Sequence, residues 1–111
     1  EHGESRARLG LAQAKLALGA NDPAGARAVL ADTEAPGLPD ALRAERLLQE
    51  ARALAAMGVF DQATARFREA GQGALPELAE LLASREDWPG AAAALGTYLE
   101  ATLPREGNLD D

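Results

Sequence analysis

The sequence predicts an all-α protein of about six helices in three antiparallel hairpins, an α-solenoid fragment. Three observations predict it. First, Ala supplies roughly a quarter of the chain and Leu is the main large apolar residue, the two strongest helix formers. The β-branched residues are few (Val29, Val59 and the threonines), and no stretch alternates with period two. Second, a unit recurs: a turn, a small residue inside a helix, a large apolar residue four positions on, and a Leu-Pro pair expected to stop the helix. The copies run through Ala26, Leu30 and Leu38-Pro39; Ala63, Phe67 and Leu75-Pro76; and Ala91, Leu95 and Leu103-Pro104. Third, Pro follows the small residue by thirteen positions in each copy, and the copies lie 37 and then 28 residues apart. Recurrence in this range is the mark of a helical array, in which one unit cannot bury its apolar face alone.

The first helix runs from about Glu4 to Gly19. Leu9, Ala12 and Leu16 form one stripe and Leu11 and Leu18 another, so a neighbour is expected on each side. Asn21-Asp22-Pro23 breaks the chain, and Asp22 caps a second helix carrying Ala26 and Leu30. Asp40 is expected to cap a third helix reaching Met57, ended by Gly58. The fourth places Phe60, Ala63, Phe67 and Ala70 on one face and stops at Gly71-Gln72-Gly73. The fifth is short, with Leu75, Leu78, Ala79 and Leu82 inward. Asp87 caps the sixth, in which Trp88, Ala91, Leu95 and Leu99 are expected inward. The domain organisation read from this is a flexible start over 1–5, one domain over 6–104 (units of about 6–39, 40–76 and 77–104) and a polar tail over 105–111.

The segment Gly58-Val59-Phe60-Asp61-Gln62-Ala63-Thr64-Ala65-Arg66-Phe67-Arg68-Glu69-Ala70 resembles the second helix of a tetratricopeptide repeat. That family sets Gly at the turn, an aromatic after it, a small residue at the helix crossing, an aromatic four later and another Ala. Trp88, Ala91 and Leu95 match in the third unit, and Ala26 and Leu30 in the first. The resemblance implies packing roles for Ala26, Leu30, Phe60, Ala63, Phe67, Trp88, Ala91 and Leu95. It also implies a concave groove faced by the first helix of each pair, into which Arg8, Leu11, Lys15, Glu45, Leu48, Arg52 and Glu80 project. Some members clamp a peptide's terminal carboxylate. The matching positions here are Leu11, Lys15, Gln49, Gly73 and Glu77, of which only Lys15 and Gln49 suit, so that function is not carried over.

Net charge is −7, which disfavours nucleic acid and anionic membrane surfaces as partners. No run is long and apolar enough for membrane insertion. The absence of Cys excludes disulfides, thiol catalysis and Cys-ligated zinc. His2 is the single His, lies at the terminus, and has no orienting partner in the pattern; Ser5 and Ser84 have no His nearby. Glu77, Glu80, Glu86 and Asp87 read as a solvated face and a cap rather than a cation site. Gly71-Gln72-Gly73 lacks the strand and Lys of a phosphate loop. No catalytic residue, metal site or cofactor is therefore expected. Arg outnumbers Lys ten to one, a composition suggestive of a GC-rich bacterial genome, and a start at Glu1 rather than Met suggests part of a larger protein. The function expected is a protein-interaction module that holds a partner's peptide or helix in a shallow groove. The alternatives are a spacer stacking with further repeats, a docking domain of an enzyme, and self-association through the array's exposed ends.

Overall fold

The structure, a computed structural model, describes residues 2–103. It is all-helical, with no strand among the described residues: α1 (His2–Gly19), α2 (Pro23–Asp32), α3 (Asp40–Ala56), α4 (Phe60–Glu69), α5 (Leu75–Ser84) and α6 (Trp88–Thr102), with a 310 turn at Gln72–Ala74 before α5. The expected polar tail over 105–111, and Pro104, lie outside the described residues. Helix α1 begins at His2, inside the segment expected to be a flexible start.

Consecutive helices pack as hairpins, and the three hairpin turns share one hydrogen-bond geometry. A residue with left-handed backbone follows each first helix: Asn21 (φ 64°), Gly58 (φ 82°) and Glu86 (φ 65°). Its N–H donates to the carbonyl three residues back: Leu18 at 3.0 Å, Ala55 at 3.1 Å and Ala83 at 2.9 Å. The next N–H donates five residues back, from Asp22 to Ala17 at 2.8 Å, Val59 to Leu54 at 2.9 Å and Asp87 to Leu82 at 2.8 Å. This paired closure satisfies carbonyls that a helix end leaves without partners. Five positions beyond each left-handed residue stands the small residue of the sequence repeat, and Ala26, Ala63 and Ala91 are all buried.

Two starts follow from caps. The carboxylates of Asp22 and Asp87 each accept from the N–H three residues on, Gly25 and Gly90, at 3.0 Å. Asp40 is different. Pro39 occupies the capping position, and Asp40 sits inside the first turn, where its carboxylate pairs with Arg43. Two of the three Leu-Pro pairs expected to stop helices instead open the next ones: Pro39 precedes α3 directly and Pro76 lies in the first turn of α5. Pro lacks an N–H, and the first turn of a helix has none to spare. In the third pair, Leu103 is the C-cap of α6, as expected.

The chain divides into two compact units at Gly71/Gln72, where one domain over 6–104 was expected. In the first, α3 packs on α1, α2 and α4. Its interior holds Ala14, Ala26, Leu30 and Ala53 in one cluster and Ala7, Leu38 and Leu42 in another. Phe67 and Leu54 are its largest fully buried apolar side chains. In the second unit, α5 and α6 pack together around Leu75, Leu78, Ala79, Leu82, Ala91 and Ala94.

Two packing expectations are corrected. Trp88 is 63% and Leu95 43% exposed, with Leu99 beside them at 48%. Helix α6 turns Ala91 and Ala94 toward α5, and a straight helix then carries the other three onto a neighbouring face. Likewise Leu9 and Leu16 are 60% and 74% exposed, because α1 is covered on the side of Ala7, Gly10 and Ala14 instead. Phe60 is half-buried.

Candidate functional site

In the first unit the face shared by α1 and α3 gathers most of the residues expected in the groove. Glu45, Leu48 and Arg52 are spaced three and four apart on α3, so they share one side of that helix. Lys15 of α1 reaches across to Glu45, Nζ to Oε2 at 3.3 Å. Gln49, almost fully buried, donates from Nε2 to the same Glu45 oxygen at 3.0 Å. Lys15, Leu18, Gly19, Glu45, Gln49 and Arg52 line a shallow depression there. The Lys15 and Glu45 side chains are 52% and 37% exposed, so their ion pair is worth little by itself and can re-pair with a partner's charges.

The other expected groove residues contribute less to this depression. Arg8 is exposed and folded back on Glu4, with Nε and Nη2 donating to Oε2 at 2.9 and 2.6 Å. Leu11 is half-buried against the cluster of Ala7, Leu38 and Leu42 and supplies little free surface. Leu48 is half-buried. Glu80 is exposed on α5, in the second unit.

A second, more enclosed cleft between α2, α3 and α4, about 470 Å³, was not expected from the sequence. Arg27, Arg43 and Arg46 line it together with Glu34, Glu50 and Glu69, over a floor that includes Leu30 and Leu47. Arg46 is buried and ties three helices together. Its Nη1 donates to the Ala7 carbonyl at 2.7 Å and to Thr33 Oγ1 at 3.3 Å; its Nη2 donates to the Leu30 carbonyl at 2.7 Å. Desolvation lowers the pKa of this guanidinium, with Glu34 and Glu50 opposing the shift. Arg66 bridges Glu50 at 3.4 Å and Glu69 at 2.8 Å along the α4 side. The signal that could have found this cleft is Arg46 itself, which shares the inner face of α3 with Leu42, Gln49 and Ala53. The lining offers ion pairing and hydrogen bonding.

Among the described residues no cluster of His, Cys, Asp or Glu is placed to hold a metal ion, and no helix is long and apolar enough to cross a membrane. Asp87, considered above with Glu77, Glu80 and Glu86, spends its carboxylate on the α6 cap. Comparison with protein-family models, with characterised proteins and with solved structures finds no match.

Proposed function

We propose that this chain is a non-catalytic interaction module of the tetratricopeptide-like kind, which holds a peptide or helix of a partner protein on the α1–α3 face. The observation that carries the reading is the polar depression around Gln49. Half-exposed Lys15, Glu45 and Arg52 surround it, and half-buried Leu48 lies on the same side of α3. Charges of both signs next to an apolar residue suit a partner helix with an apolar stripe and mixed flanking charges. Three turns of identical geometry, each followed by a buried small residue, support the repeat character.

The test is selection of binding peptides from a displayed library by the purified chain, followed by titration of the selected peptides. Leu48→Glu combined with Arg52→Glu should abolish their binding, with the helical circular dichroism unchanged. Failure to select any peptide, or binding that survives the double change, would overturn the reading.

A further inference from the structure

The contact between the first two hairpins has a register that recurs, uncovered, elsewhere in the chain. Helix α3 meets the α1–α2 hairpin through Leu42, Arg46 and Ala53. Ala53 shares a cluster with Ala14, Ala26 and Leu30; Leu42 shares one with Ala7 and Leu38; Arg46 donates to the carbonyls of Ala7 and Leu30. The turns at Asn21 and Gly58 set the two hairpins 37 residues apart, so these positions, with Gln49, correspond on α1 to Ser5, Leu9, Ala12 and Leu16. All four are exposed. On the receiving side, Leu30 is 6% exposed under α3, and its counterpart counted from the turn at Glu86 is Leu95, 43% exposed. The chain therefore carries the docking half of a hairpin–hairpin contact on α1 and the receiving half on α6, each left exposed by the described residues.

Apart from Leu42, which corresponds to Ser5 at the start of α1, the substitutions at these equivalent positions run in the apolar direction. Arg46 and Gln49 of α3 become Leu9 and Ala12 on α1. Pro23 and Glu34 beside Leu30 become Trp88 and Leu99 beside Leu95. Solvent-facing helix surfaces are ordinarily polar, and contiguous apolar ones mark contact sites. Volume is also matched: Leu18 and Val29 of the first hairpin become Ala83 and Ala94 in the last, which makes room for Leu16 where α3 has Ala53. Charge selects between pairings. Helix α1 carries Arg6, Arg8 and Lys15 against Glu4, whereas the α5–α6 hairpin carries Glu77, Glu80, Glu86, Asp87 and Glu100 against Arg85. Joining α1 to α6 brings opposite signs together; joining two α6 faces or two α1 faces does not.

We infer that α1 of one copy docks on the α5–α6 hairpin of a second copy, in the register by which α3 docks on the α1–α2 hairpin. The inference stands independently of the groove reading. Because the two surfaces are different, the contact is heterologous and each added copy leaves a docking and a receiving face free.

Sedimentation velocity of the purified chain tests this, with Leu9→Glu disabling the docking face and Leu95→Glu the receiving one. The unaltered chain should show an average mass that rises with concentration beyond two copies. Each variant alone should stay at the mass of one copy. Mixed in equal amounts they should form a species of two copies and no more, because one good face remains on each. Leu16→Glu and Leu99→Glu are second variants of the same faces, and circular dichroism checks that each is folded. A chain that remains a single copy up to about 100 μM, the weak end of specific association, overturns the inference. Leu9→Glu that still associates while Leu95→Glu does not would show an α6–α6 dimer and overturn it equally.

Discussion

Thr33 is a point at which three helices of the first unit meet. Its hydroxyl donates to the Val29 carbonyl at 2.7 Å and receives Arg46 Nη1 at 3.3 Å. Gly10 of α1 lies directly against it: a Cβ on Gly10 would stand 2.0 Å from Thr33 Oγ1 and 2.7 Å from its Cβ. The position therefore admits no side chain unless α1 moves off α2. Moving α1 would also stretch the bond from Arg46 to the Ala7 carbonyl, which leaves a buried charge less well paired. A Lys at 46 could not replace the planar fork that spans Ala7 and Leu30. Gly10→Ala should accordingly destabilise by about 1–3 kcal/mol, the range for overpacking a filled interior. Urea denaturation measures it, and an unmoved midpoint would mean that α1 can slide at no cost.

The hairpin turns show how far sequence reasoning reaches at the scale of elements. Turn positions were legible because left-handed backbone and capping carboxylates have strong local preferences: Asn21-Asp22, Gly58 and Glu86-Asp87 fall where the hairpins close. Only Gly58 is the residue best suited to its backbone; Glu86 holds the same conformation with a Cβ present. Glu86→Gly should raise stability by about 0.5–1 kcal/mol, and Gly58→Ala should lower it by about 1 kcal/mol. Thermal unfolding of the two variants decides the matter, since equal and opposite shifts are expected only if the turns are equivalent. What the pattern did not contain was the identity of each helix's neighbours. Leu9, Ala12 and Leu16 on α1, and Trp88, Leu95 and Leu99 on α6, have impeccable helical spacing yet are exposed, since periodicity marks an apolar face without saying what covers it. That Glu45, Leu48 and Arg52 share one side of α3 was legible from spacing, whereas a groove in front of them was implied only by the tetratricopeptide resemblance. Glu80, projected into the same groove, belongs to the other unit, and the cleft beneath Arg27 and Arg43 was missed because it needs three helices to exist.

At the scale of the whole molecule, the two units differ in what they can bury. The first buries Phe67, Leu54 and Gln49 almost completely, and ties α1, α2 and α3 together through Arg46. The second buries only three leucines, Leu75, Leu78 and Leu82, with Ala79, against Ala91 and Ala94, while Trp88, Leu95 and Leu99 stay in water. A helix pair of ten and fifteen residues has little propensity reserve and a small core of its own, so its opening free energy should lie well below that of the first unit. Native-state hydrogen exchange should therefore show the amides of α6 exchanging through a lower-energy opening than those of α3 around Leu54. The difference should shrink as protein concentration rises, because a copy docked over Leu95 would have to leave before α6 could open. A gap that does not change with concentration would show that α6 owes its stability to α5 alone, and would count against the copy-to-copy contact from an observable separate from mass.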